Sequence, residues 1–410
     1  MKKLVDGEIW IAVDETDSQF VREEVMYYAE RYRQVVLISK KPLNLRGLEH
    51  ERLKALVLQP QRKMTDYFHP FVWMIWFADL FSKGTTLNYW HRARYNLALF
   101  LSSVAYSRTL SPHIKAARGK NVRLLSYWFA EWALTFAWMK SNGVISGFYS
   151  RAHGRDLFED REPLTGKLPF RRFMIRHCDG IFSVSEAGSR YLKKRYPRFK
   201  DKFRALYLGT RDHGTGIFDA SGKFTVVTCA RVRDIKRIHL VPHILKHMKT
   251  PVRWVHFGDE NLDAKNETCI PEYKAGKKML EDCPHVEAHY KGYVSNDEIQ
   301  AYYRSNSVNL FLNVSSTEGL PFVLIEAAAM GIPLMATDVG GCAEIVNPAT
   351  GILIPAGFDP SETANRIDWF ASSEMNTPAF RSGVRRFWEQ NFRADLNYEE
   401  FIAKVTKEAV

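Results

Sequence analysis

Cysteine is scarce in this chain. Five residues (Cys178, Cys229, Cys269, Cys283 and Cys342) are scattered through 410, with no C-x-x-C pair and no Cys/His ligand spacing. That usage argues against a disulfide framework and a structural zinc, and it points to a reducing cytosol. Long apolar runs are missing too. The most apolar window, Phe68 to Phe81, is short and interrupted by Pro70 and Asp79, so no transmembrane helix is expected. The first residues, Met1-Lys2-Lys3-Leu4-Val5-Asp6-Gly7-Glu8, carry charges where a secretion signal needs an apolar core, so a cytoplasmic location is expected. There is no low-complexity tract, no heptad pattern and no short repeat. Acidic residues are outnumbered, 46 against 58 Lys and Arg, giving a formal charge of +12. Such a balance calls for an anionic partner: a nucleotide diphosphate, a lipid headgroup or a nucleic acid. No recognised nucleic-acid motif supports the last of these.

What is present is alternation. Strand-like runs (9–13, 35–38, 55–58, 145–149 and 180–184) are separated by helical patterns such as Phe20 to Tyr32. A second series follows at 226–229, 253–257, 286–290, 308–314, 333–336 and 351–354. Both read as βαβ units on parallel sheets, so the fold class is α/β with two Rossmann-like halves. The Gly-rich polar stretch from Leu208 to Gly216 reads as the linker between them.

The richest stretch is Ser316-Thr317-Glu318-Gly319-Leu320-Pro321-Phe322-Val323-Leu324-Ile325-Glu326-Ala327-Ala328-Ala329-Met330-Gly331-Ile332-Pro333. A buried strand should end near Val314, a short polar loop follow, and a helix open near Pro321 and stop at Gly331 and Pro333. The loop and helix N-terminus offer unpaired N–H groups and a positive dipole end, which suits a diphosphate. Glu318 and Glu326, eight positions apart, would flank that anion and accept hydrogen bonds from neutral hydroxyls.

This run resembles glycosyltransferase family 4, retaining enzymes that use nucleotide sugars and carry two Glu separated by seven residues in this setting. The resemblance extends over about half the chain. It includes Phe224 to Lys236, with Arg231 and, five residues on, Lys236, then Val255 to Asp259, Lys291 to Ser295 and Ala336 to Val346. It implies the GT-B fold, two Rossmann-like domains facing each other across a cleft. The expected division is an acceptor domain over 1–208, a donor domain over 209–392, and a C-terminal helix at about 393–410 packing back on the first.

The resemblance also implies roles. Arg231 and Lys236 would meet the charge on the departing phosphate, Glu326 the ribose, and Glu318 the donor sugar, with Gly319 and Leu320 offering backbone N–H groups. Pro321 stands where many members carry a Gly, and removes one possible donor. In the first half, His153 looks like the family's active-site histidine, beside Arg155 and Asp156. The first strand ends without the Gly-rich loop of many members; Ser18 and Gln19 are weaker candidate contacts, with ordinary helix capping the plainer reading. No D-x-D motif is present, which suits a metal-independent enzyme using a UDP- or GDP-linked donor and no cofactor.

Between Tyr67 and Arg123, aromatics (Trp73, Trp76, Trp90) interleave with Lys83, His91, Arg92, Arg94, Arg108, Lys115, Arg118, Lys120 and Arg123. That mixture suits an anionic membrane surface and a lipid-linked glycan acceptor, or else an apolar helical core with a solvated basic face. The expectation is therefore a hexosyltransferase of capsular, exopolysaccharide or lipopolysaccharide assembly, cytoplasmic or peripheral on the inner face of the plasma membrane. A sugar-nucleotide epimerase of the same fold and a silent nucleotide-sugar-binding scaffold are the alternatives.

Overall fold

The computed structural model describes residues 4–60, 62–64, 66, 70–80, 89–117, 119–159, 168–260 and 268–407. The chain divides into two compact units: Met1–Leu208 with Ala394–Val410, and Gly209–Arg393.

The first unit is built on a seven-stranded sheet: β1 (Val5–Ala12), β2 (Tyr32–Ser39), β3 (Leu53–Val57), β4 (Val122–Ser126), β5 (Tyr149–Ala152), β6 (Gly180–Ser183) and β7 (Phe203–Ala205). The order is β3-β2-β1-β4-β5-β6-β7, every pairing parallel. Helices α1 (Gln19–Arg31), α2 (Pro70–Leu80), α3 (Tyr89–Ala116) and α4 (Glu131–Ser141) supply much of its cover, as parallel sheets require on both faces. The C-terminal helix Ala394–Lys407 joins this unit through α1: Arg31 Nη2 and Tyr27 Oη donate to Glu399 at 3.1 and 2.8 Å.

The second unit holds six parallel strands: β8 (Phe224–Cys229), β9 (Val252–Phe257), β10 (Val286–Tyr290), β11 (Leu310–Asn313), β12 (Leu334–Thr337) and β13 (Gly351–Ile354), in the order β10-β9-β8-β11-β12-β13. Both orders reverse beside the unit's first strand, between β1 and β4 and between β8 and β11. In doubly wound sheets, the crevice outside the strand C-termini at that reversal is where ligands bind.

One expected strand is displaced. Residues 145–148 lie outside it; β5 starts at Tyr149 and takes in Ser150, Arg151 and Ala152. The segment before it turns out of α4, with Gly143 at a φ of 68° and the Phe148 N–H held by the Asp179 carboxylate at 2.8 Å. An arginine inside a buried strand is tolerated because its charge is paired within the unit. Two strands, β4 and β7, are additional to the sequence reading. β4 carries Arg123, which looks solvated in sequence yet is buried and donates to the Asp6 carbonyl at 3.1 Å, and β7 is three residues long.

Candidate active site

In the second unit the two strands flanking the reversal each deliver a loop. β8 ends at Cys229 and leads into 230–237; β11 ends at Asn313 and leads into 314–321. Hydrogen bonds lock the loops together. Ser316 N donates to the Ile235 carbonyl at 2.8 Å, and Arg237 reaches across with Nε to Val314 O at 2.6 Å and Nη2 to Ser315 O at 3.1 Å. Thr337 Oγ1, at the end of β12, donates to Ser315 O at 2.5 Å. Gly340 packs its backbone under Glu318, where a Cβ would lie 1.9 Å from the Glu318 carbonyl oxygen, and its φ of 58° also favours glycine. Gly341 N then donates to Gly319 O at 2.9 Å.

This cradle holds the candidate residues in defined positions. Glu318 is 8% exposed; its Oε1 accepts from Lys236 Nζ at 2.7 Å and from Asn313 Nδ2 at 3.5 Å. Glu326 lies on the helix Phe322–Ala329, buried at 6% exposure, and accepts from Asn296 Nδ2 at 2.5 Å. Buried carboxylates persist only where cations and donors satisfy them, so both positions are built rather than incidental. Leu320 is buried by its side chain and Gly319 is half-buried, leaving both to act through backbone alone. Arg231 is the exposed member of the group, its Nε 3.8 Å from Asp259 Oδ1. The Cys229 and Cys342 thiols are pushed up to about 12, each first by burial and then by the charge of Glu326 or Glu318 respectively. Both stay protonated at neutral pH, so neither supplies a thiolate.

The first unit has its own cluster at the equivalent reversal. His153 follows β5, and its ring lies 5.2 Å from Tyr127 and 5.3 Å from Phe20, centroid to centroid. Burial, followed by the Arg151 charge, lowers its pKa to about 3, so the imidazole is neutral; a hydrogen bond with the Tyr127 backbone opposes that shift, and Nε2 is buried without a partner. Asp156 is also buried and its two oxygens accept from His153 N at 2.7 Å and Phe129 N at 2.5 Å, which makes it a clamp on the loop. Arg155 points to solvent. Ser18 caps α1 by position, its Oγ donating to Glu15 at 2.6 Å, and Gln19 donates to Glu23 at 3.1 Å; both are engaged locally. Among the described residues, no group of three or more His, Cys, Asp or Glu is placed to hold a metal ion.

Comparison with known proteins fits this geometry. Residues 223–373, which contain both glutamates, both loops and the β8–β11 reversal, match the family described as glycosyl transferases group 1. Over that stretch the second unit is similar to the group 1 glycosyl transferases. It is 26% identical over 275 residues to the putative colanic acid biosynthesis glycosyltransferase WcaL of Escherichia coli K12, covering 64% of each chain. It is 29% identical over 134 residues to the O-antigen biosynthesis glycosyltransferase WbnH of Escherichia coli, covering 32% of this chain and 33% of that one. The matches thus span less than two thirds of these relatives. Solved structures give the fold as GT-B: Anabaena Alr3699/HepE in complex with UDP superposes with a TM-score of 0.70 at 14% identity, over 98% of this chain and 100% of that one. WaaG, a glycosyltransferase involved in lipopolysaccharide biosynthesis, does so with a TM-score of 0.63 at 12% identity, over 96% and 98%.

Several residues that shape the second unit and the first were silent in the sequence. Arg237 follows Arg231, Arg233 and Lys236 with nothing in the sequence to single it out, yet it ties its loop to the Val314, Ser315 and Ala356 carbonyls. Asn296 opens a helix with no mark beyond an ordinary capping pattern. In the first unit Glu24 is fully buried, accepting from Arg151 Nη2 at 2.6 Å, Tyr127 Oη at 2.8 Å and the Tyr28 hydroxyl. Its place among Val21, Val25 and Tyr28 at helical spacing was the available signal, since an acid on an apolar stripe needs a partner.

Proposed function

We propose that this chain transfers a hexose from a nucleoside-diphosphate sugar to an acceptor hydroxyl, with retention, in assembly of a bacterial surface polysaccharide. The observation that carries the reading is the pairing of Lys236 with buried Glu318, in the loop beside the helix Phe322–Ala329 that carries buried Glu326, at the strand reversal of the second unit. Supporting it are the relatives named for colanic acid and O-antigen biosynthesis, and a fold shared with a protein solved with UDP.

Departure of the sugar leaves negative charge on the diphosphate. Fixed cations lower that barrier, and Lys236 and Arg231 are assigned to it in place of a divalent metal. Glu326 accepts from the ribose and Glu318 from sugar hydroxyls. His153 of the first unit, held neutral, keeps an unpartnered ring nitrogen for a hydrogen bond to a sugar hydroxyl. No side-chain nucleophile is assigned; front-face attack, with the departing phosphate taking the acceptor's proton, balances the proton without one. Thermal midpoints in metal-free buffer with UDP, GDP and their sugar conjugates test the reading. A ligand at a hundredfold excess over its Kd stabilises the folded state by about 2.7 kcal/mol, and no shift with any of them contradicts it.

We also assign the first unit a peripheral membrane face. Among the described residues no helix is long and apolar enough to cross a membrane. On α2, however, Trp73, Met74 and Phe77 are exposed at 36, 56 and 46%, with Val72 and Ile75 buried on the opposite side. On α3, Tyr95 and Arg94 are exposed as well. Arg108 pairs with buried Asp66 and Arg123 is buried, so neither serves this face. Lys83 and Arg118 lie outside the described residues, as do the side chains of Trp90, His91 and Arg92. Aromatics beside a cation suit headgroup depth on an anionic bilayer. Trp73→Ala/Phe77→Ala lowers co-sedimentation with phosphatidylglycerol vesicles at low salt at least about fivefold; absent or unchanged binding contradicts the assignment.

A further inference from the structure

The helix Asn296–Ser305 begins beside Glu326, and its first residue donates a side-chain amide hydrogen to that carboxylate. A carboxylate accepts only, so the Asn296 side chain has one permissible orientation, Nδ2 toward Glu326 and Oδ1 away. That Oδ1 is buried and has no hydrogen-bond partner. A buried acceptor left unmet costs free energy, and one beside a residue that reads sugar hydroxyls is an acceptor awaiting a donor. The helix does not need this side chain. Its start is fixed by Ser295, whose Oγ accepts from Glu298 N at 3.3 Å while Ser295 N donates to Glu298 Oε2 at 2.8 Å. Asn296 occupies the first helical position, where the N–H makes no intrahelical bond, and its side chain is spared for another use.

We infer that Asn296 is a second reader of the ribose, its Oδ1 accepting from one of the two vicinal hydroxyls while Glu326, held by the same amide, accepts from the other. This rests on the assignment of the second unit to a nucleotide sugar, and deepens it: the site distinguishes a ribonucleotide from a deoxyribonucleotide by two adjacent acceptors. A vicinal diol presents two donors at short separation, and a carboxylate with a neighbouring amide oxygen matches them. No covalent step is involved.

The experiment is calorimetric binding of UDP and GDP, and of the 2′-deoxy and 3′-deoxy analogues of whichever binds, to the full chain and to Asn296→Ala. The native protein binds both deoxy analogues more weakly than the ribonucleotide. In Asn296→Ala the penalty for one of the two shrinks about five- to tenfold, and the penalty for the other, read by Glu326, remains. Both penalties unchanged within about twofold, in a variant that keeps its thermal midpoint and still binds the ribonucleotide, would overturn the role of Asn296 and leave the nucleotide site standing. An equal weakening of the ribonucleotide and both analogues would also overturn it, since Asn296 would then only position Glu326. No binding of UDP or GDP to the native chain would overturn the site and this inference together.

Discussion

Replacing Glu326 or Lys236 by alanine lowers sugar transfer by tens- to hundreds-fold while the chain stays folded. Each substitution removes a charged contact in a partly dry site, where such a contact is worth about 2–4 kcal/mol. Lys236 is the sharper case. Its Nζ is 2.7 Å from Glu318 Oε1, with side-chain exposures of 29 and 9%, so its loss breaks that ion pair and, under the proposed role, removes a cation from the leaving phosphate. Glu326→Gln keeps the volume and a hydrogen-bonding group but turns part of its acceptor capacity into a donor facing Asn296 Nδ2. It should lose most of the activity with little change in midpoint. The check is initial rates of nucleotide release with donor and acceptor, beside circular dichroism of each variant. Near-native rates in either alanine variant would remove these residues from the reaction.

The second large effect concerns stability. Arg151→Ala destabilises the first unit by about 3–5 kcal/mol, because it leaves Glu24 as a buried charge without its cation. Both side chains are fully buried, Arg151 Nε and Nη2 bond Glu24 Oε1 at 3.0 and 2.6 Å, Nη1 bonds the Leu206 carbonyl at 2.6 Å, and the guanidinium lies 4.2 Å from the Phe401 ring centroid. Those contacts gather α1, β5, the residues after β7 and the C-terminal helix on one cation. Glu24→Leu/Arg151→Met, which removes both charges, should cost less than either single change, as an apolar pair replaces an ion pair at little penalty. Urea unfolding followed by tryptophan fluorescence measures this. A loss below about 1 kcal/mol in Arg151→Ala would contradict the assigned role of the network.

The legible parts of this protein were those governed by periodicity and by local backbone need. Most parallel strands of the second unit are short apolar runs of the length a buried sheet uses, and β10 and β13 fall where the pattern put them, although β10 is only half-buried and carries Glu287 and His289. The helix Phe322–Ala329 could be read from Pro321 at its start and Gly331 at its end, where φ is 71°. Charged residues inside strands were the obstacle. Arg151 and Arg123 are buried in β5 and β4 because partners far along the chain satisfy them, and one sequence does not show those partners. The same limit hid Arg237 and Asn296, whose positions in turn and helix start look like many others until the loops are folded together. Asp156 went the other way: an acid beside His153 suggests chemistry, and two backbone N–H groups occupy it.

The most direct test of a nucleotide-sugar site in the second unit is calorimetric titration of UDP and GDP, without added metal, into the native chain, Lys236→Ala and Glu326→Ala. Saturable binding of at least one nucleotide to the native chain, weakened at least about tenfold in both variants, is the predicted result. Equal affinity in all three proteins, or no binding to the native chain while its fold is intact, would contradict it.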